Sequence, residues 1–124
     1  MQFKLSKSHR YWWPVTVLIP DPENAGVFIK QELKLQFEPL GRDEQLAAQA
    51  EAAKLVTMDA LIAHEAKQSM RFIKNWDGVV DDDGLPIPFT PELFDQAMQQ
   101  SWFRQAVQEA LQQSMTGDKA RLGN

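Results

Sequence analysis

The chain has no cysteine among its 124 residues. This removes disulfides, thiolate nucleophiles and thiolate metal sites together, and it fits a reducing compartment. Histidine is nearly absent too: His9 and His64 stand in different parts of the sequence, and His64-Glu65 lacks the second histidine of an H-E-x-x-H metal pair. His64 therefore reads as a surface histidine or a helix histidine satisfied by its neighbours. None of the five serines, Ser6, Ser8, Ser69, Ser101 and Ser114, sits in a G-x-S-x-G elbow, and neither G-x-x-x-x-G-K-[ST] nor G-x-G-x-x-G occurs. Acyl transfer, nucleotide chemistry and dinucleotide chemistry lose their usual signatures, and no cofactor is expected.

Long hydrophobic runs are missing as well. No window reaches the roughly 18 apolar residues that a membrane helix requires. The first residues, Met1-Gln2-Phe3-Lys4-Leu5-Ser6-Lys7, lack the apolar core of a signal peptide. A cytoplasmic, unprocessed protein with no membrane partner is the expectation. Excess positive charge is absent: 13 basic against 17 acidic residues leave a formal charge of −4, the wrong sign for a protein that lives on phosphate backbones. The segment His9-Arg10-Tyr11-Trp12-Trp13 has the look of a basic aromatic patch for single strands. One basic turn does not offset an acidic whole, however, and no nucleic-acid partner is expected.

What remains is an ordinary globular composition, 44% hydrophobic and 24% charged, in a chain of single-domain length. Trp13, Val15, Val17 and Ile19 fall on alternate positions, the period that lines one face of a strand. After the Pro- and Gly-bearing loop 20–26 the alternation returns, with Val27, Ile29, Leu33, Leu35 and Phe37 on one face and Lys30, Glu32, Lys34, Gln36 and Glu38 on the other. This predicts an antiparallel hairpin with one buried and one wet face. Phe3 and Leu5 offer a short third strand. Trp12 falls on the wet face, where an aromatic is either covered by another element or available to a partner.

From Asp43 onward the composition shifts to Ala, Gln, Glu, Leu and Lys, the strong helix formers. Leu46, Ala50 and Ala53 form one narrow stripe; Met58, Ile62, Ala66, Ile73 and Trp76 form a second. One helix bent near Thr57, or two helices with Thr57 as N-cap, would carry them. The stretch 75–89, with four aspartates, two glycines and two prolines, predicts a long loop or a small hairpin turning at Asp82-Asp83-Gly84. Thr90-Pro91-Glu92 then announces a helix by a hydroxyl cap, a proline at the first position and an acid near the positive dipole end. Leu93, Phe94, Ala97 and Met98 give it a buried side. Ser101 is read as the cap of a last helix with Phe103, Ala106, Val107, Ala110 and Leu111 inward, ending before Gly117. The expected fold is α+β: an N-terminal antiparallel hairpin or small sheet (1–40) packed against three to four helices (43–116), in one domain with a frayed tail (117–124).

Chemistry is scarce in this pattern. The cluster Asp77, Asp81, Asp82, Asp83 is the best candidate for a cation, but with Gly84 as the sixth loop position the first and twelfth calcium ligands would be Val79 and Thr90. A solvated acidic turn is the better reading, and no metal is expected. A hydrolase using paired carboxylates here finds no apolar pocket in the sequence to raise one pKa.

The segment Asn75-Trp76-Asp77-Gly78-Val79-Val80-Asp81-Asp82-Asp83-Gly84-Leu85-Pro86-Ile87-Pro88-Phe89-Thr90-Pro91-Glu92-Leu93 resembles the central signature of the tail assembly chaperones of long-tailed bacteriophages. In that family a helix ends in a Trp, an acidic turn follows, and a Pro-Phe-Thr/Ser-x-Glu segment opens the next helix. The flanks Leu35-Gln36-Phe37-Glu38-Pro39-Leu40 and Phe103-Arg104-Gln105-Ala106-Val107 are similar to the family's strand and closing helix. The resemblance implies a non-enzymatic α+β protein of phage or prophage origin, made in the host bacterial cytoplasm and missing from the finished virion. Its implied partner is the tape measure protein, with the tail tube protein as an additional one; independently of the resemblance, the exposed edges of a small sheet and an apolar helix face invite self-association as a ring or dimer. Trp12, Trp76, Val79, Leu85, Ile87 and Phe89 are the candidate protein-binding residues. For Trp76, Phe89, Phe94 and Phe103 the competing and stronger reading is internal packing, because aromatics beside a helix end usually pack at home. A structural virion protein, such as a tail-completion or connector subunit, is the alternative that shares this size and fold class.

Overall fold

The computed structural model describes residues 1–117. The expected tail beyond Gly117 lies outside the described residues. The fold is α+β, as the sequence predicts: among the described residues, a three-stranded antiparallel sheet and four helices. In chain order these are β1 (Tyr11–Pro20), β2 (Phe28–Phe37), α1 (Arg42–Ala53), α2 (Met58–Phe72), β3 (Ile73–Asp77), α3 (Pro91–Met98) and α4 (Ser101–Thr116), and the sheet order is β1-β2-β3.

The third strand is Ile73–Asp77 rather than the segment containing Phe3 and Leu5, which carries no strand and leaves both side chains about nine-tenths exposed. The same strand corrects the helix expected to run on to Trp76. Helix α2 stops at Phe72 because Ile73 turns extended, with φ −107° and ψ 118°, and the Phe72 carbonyl accepts from the Glu38 amide at 2.8 Å. Pairing with β2 thus outweighs a helical period that the apolar residues alone would have continued.

The chain divides into two compact units. One comprises Met1–Tyr11 and Gln36–Lys74. Within it α1 and α2 are separate helices, and Thr57 caps the second by accepting from the Ala60 amide at 3.2 Å. His64 Nε2 donates to the Ala48 carbonyl at 3.1 Å, and the Arg71 guanidinium meets the Glu44 carboxylate at 2.8 Å. The pairing of 64 with 48 and of 71 with 44 runs the two helices antiparallel. Phe37, fully buried, receives the edge of the Tyr11 ring with centroids 6.0 Å apart, and Arg10 pairs with Glu38 beside it at 2.8 Å.

The other unit comprises Trp12–Leu35 and the chain from Asn75 onward. Its core takes Val15 and Val17 from β1, Leu33 and Leu35 from β2, Trp76 from β3, Phe94 from α3, and Phe103, Ala106, Val107 and Ala110 from α4. The alternation predicted for the hairpin holds where the strands cover this core and fails at its tip, where Val27 and Ile29 are exposed. Thr90 caps α3 through the Leu93 amide at 3.1 Å, with Pro91 at the first position. Ser101 is not a cap: it is the first residue of α4, Gln100 holds the cap position without a side-chain bond, and the Gln100 carbonyl accepts from the Arg104 amide. The end of α3 is instead closed by Arg104, whose guanidinium donates to the Met98 and Gln99 carbonyls at 2.7 and 2.9 Å. Gly117, at φ 66°, ends α4 in the left-handed conformation that glycine adopts without steric cost.

Candidate protein-binding surface

The segment from Trp76 to Phe89 is built around one indole. Trp76 is 7% exposed, and its Nε1–H donates to the Ile87 carbonyl at 2.8 Å. Phe89 meets it edge-on at 5.3 Å, Phe94 lies 5.6 Å from Phe89, and Phe103 meets Phe94 edge-on at 6.0 Å. These aromatic contacts join β3, the acidic segment, α3 and α4 within one unit. Of the predicted binding residues, Trp76 is therefore spent on the core, and Phe89, Val79 and Ile87 are half-buried beside it. Trp76 also lies on a strand and not at a helix end.

Between them the chain forms the small hairpin expected at Asp82-Asp83-Gly84. Val80 bridges Pro86 antiparallel, the Ile87 amide donates to the Val79 carbonyl at 2.9 Å, and the Asp81 amide donates to the Leu85 carbonyl at 2.9 Å. Asp81 Oδ1 accepts from the amides of Asp83 and Leu85 at 2.9 and 3.0 Å, and Gly84 takes a φ of +79°. The aspartate thereby closes its own turn, as Asx residues do. Among the described residues no cluster of histidine and carboxylate side chains is placed to hold a metal ion. The hairpin presents Val80 and Leu85, more than half exposed, at its outer end.

A second Asx turn shapes the tip of the β1–β2 hairpin. Asp21 Oδ2 accepts from the Asn24 side-chain amide and Oδ1 from the Glu23 backbone amide, both at 2.9 Å. These two bonds, the Asn24 one foremost, hold its carboxyl below the usual aspartate range.

Further exposed apolar side chains stand in two places whose exposure the sequence did not predict. In the first unit, α1 and α2 bury no residue at all, and Leu46, Val56, Met58 and Ile62 are each more than half exposed. The stripe Leu46, Ala50 and Ala53 is thus outward, and the second stripe splits: Met58 and Ile62 are outward, whereas Ile73 and Trp76, beyond the end of α2, are buried. In the second unit, Leu18, Phe28 and Trp102 surround an open groove of about 200 Å³ between the hairpin and α4. Trp12, predicted on the wet face of β1, is 43% exposed there. Periodicity could not find these groups, because it marks an apolar face without saying whether the chain itself covers that face.

Comparison of the chain with protein-family models, curated proteins and solved structures finds no match. No helix among the described residues is long and apolar enough to cross a membrane.

Proposed function

We propose that the chain is a non-enzymatic tail assembly chaperone of a long-tailed phage or prophage, which binds the tape measure protein in the host cytoplasm and covers it until the tail is built. The observation that carries this reading is the α1–α2 pair, two helices with apolar stripes and no buried residue. A helix of this length usually gains its stability by burying an amphipathic face. Leaving Leu46, Met58 and Ile62 in water sacrifices that gain unless a partner supplies the cover. A long helical protein with apolar stripes of its own is such a partner, and binding its folded or partly folded segments would keep them from one another. The resemblance of the 75–93 segment to the chaperone signature supports the tape measure protein as that partner.

Co-expression with the tape measure protein of the same phage tests the reading. A soluble complex is expected where the tape measure protein alone precipitates, and purified virions should lack the chain. A tape measure protein equally soluble by itself, or virions that retain the chain as a component, would reject it.

A further inference from the structure

The groove in the second unit, beside β1 and α4, permits a narrower statement about what it binds. Leu18 is 48% exposed, Phe28 59% and Trp102 41%, and the three stand around one depression. Its polar lining is Thr16, Gln105 and Glu109, and Glu109 is the one charged side chain among the described lining residues. The Gln105 side-chain amide donates to Glu109 Oε1 at 3.3 Å, which steadies the carboxylate along α4.

An edge strand beside such a groove usually invites an extended peptide to add to the sheet. Here the register forbids a continuous ladder. The Asp21 amide donates to the Val27 carbonyl at 2.8 Å, which pairs 21 with 27; carried back along the strands, this sets Tyr11 opposite Phe37, whose rings do meet. In an antiparallel pair, successive residues point their N–H groups alternately toward the partner strand and away from it. The amides of Tyr11, Trp13, Val15, Val17 and Ile19 therefore face β2, and those at 12, 14, 16, 18 and 20 face outward. Positions 14 and 20 are prolines and have no N–H to offer. An added strand would find outward donors at Trp12, Thr16 and Leu18 but none at 14 or 20, so its ladder would be interrupted. A helix, whose own backbone is already bonded, needs nothing from this edge.

We infer that the groove formed by Leu18, Phe28 and Trp102 binds an amphipathic helix whose apolar stripe is flanked by lysine or arginine, the cation meeting Glu109. The inference rests on the proposed role in covering a helical partner and specifies which kind of segment this site takes. Charge complementarity at Glu109 selects the flank, the half-exposed aromatics supply the anchor, and the net charge of −4 favours the approach of a basic segment.

Calorimetric titration of the full chain with three model peptides tests it: a Leu/Ala helix with lysine flanks, the same helix with glutamate flanks, and an extended Val/Thr peptide. The lysine-flanked helix should bind tightest. Trp102→Ala should weaken it by roughly tenfold to thirtyfold, the range of an interface anchor. Glu109→Lys should invert the preference so that the glutamate-flanked helix binds better, an outcome that loss of packing alone would not produce. An unchanged preference in Glu109→Lys, unchanged affinity in Trp102→Ala, or stronger binding of the extended peptide would overturn the inference. A tape measure complex that survives both substitutions would also overturn it while leaving the proposed function standing. Failure of the wild-type chain to form that complex would reject the function instead.

Discussion

The indole of Trp76 donates its only hydrogen bond to the carbonyl of Ile87, eleven residues along the chain, at 2.8 Å. That bond fastens the return arm of the acidic hairpin to the aromatic core, so the hairpin is anchored by a side chain at its base as well as by its own ladder. Trp76→Phe keeps most of the apolar surface and leaves the Ile87 carbonyl without this donor, which should cost about 1–2 kcal/mol in urea denaturation. Trp76→Ala also removes the ring on which Phe89 and Phe94 pack, and a loss of about 3–5 kcal/mol is expected.

The three aspartates of the hairpin, Asp81, Asp82 and Asp83, are not equivalent. Only Asp81 accepts bonds from within the turn, through the amides of Asp83 and Leu85. Asp81→Ala should lower stability by about 1 kcal/mol, whereas Asp82→Ala at the exposed tip should stay within about 0.5 kcal/mol of the wild type. Calcium at millimolar concentration should leave the melting temperature of both unchanged, since a bound ion would raise it. Equal effects of the two substitutions would contradict the assignment of Asp81 as the turn-closing residue.

Much of this fold was legible in the sequence, for reasons that are local. Alternation located both long strands, and the Thr-Pro-Glu start located α3, because caps and pleats act within a few residues of themselves. Strand β3 was hidden because Ile73 and Trp76 extend the apolar spacing of α2, and only the distant β2 strand decides otherwise. The candidate surface was legible only in part. Trp12 could be placed on the wet face from its position in β1, but the outward stripes of α1 and α2 have the same spacing that a buried pair would have. Whether a stripe is covered depends on the rest of the chain, which spacing does not encode.

Arg104 does for α3 what a glycine cap does elsewhere. Its guanidinium reaches the Met98 and Gln99 carbonyls, the negative end of the helix, from the neighbouring helix α4. Arg104→Met retains the aliphatic stem and removes only the charged donor. A loss of about 1–2 kcal/mol is expected, together with faster amide exchange over 95–100, the last turn of α3 and its link to α4. Exchange rates unchanged in that turn would show that the carbonyls are satisfied without the arginine.

The Asp21 turn gives the chain a defined acid sensitivity at the tip of β1–β2. Bonds from the Asn24 side chain and the Glu23 amide lower its folded pKa, so the folded chain holds this carboxyl ionised to lower pH than the unfolded chain does. Its contribution is fully present above the ordinary aspartate pKa and is lost as pH falls through the lower folded value. Asp21→Asn should therefore reduce stability by a constant amount at neutral pH, and the difference from wild type should shrink in acid. Urea denaturation across a pH series checks the sign; a difference that grows on acidification would contradict it.

The strongest contrast lies between the stripe of α2 and the strand that packs the core. Met58 and Ile62 are 70% and 56% exposed, so Met58→Lys and Ile62→Lys remove little buried surface and should change the stability of the free chain by no more than about 0.5 kcal/mol. Leu35, with no exposed surface, should cost about 2–5 kcal/mol when cut to alanine. If the α1–α2 face covers a partner, the order reverses in co-expression with the tape measure protein. The two lysine variants should then lose the soluble complex while melting as the wild type does, because the charge is tolerated in water and not beneath a partner's apolar stripe. Lysine variants that lower the melting temperature of the free chain as much as Leu35→Ala does would mean the stripe is already covered within the chain, and the binding role of this face would fall.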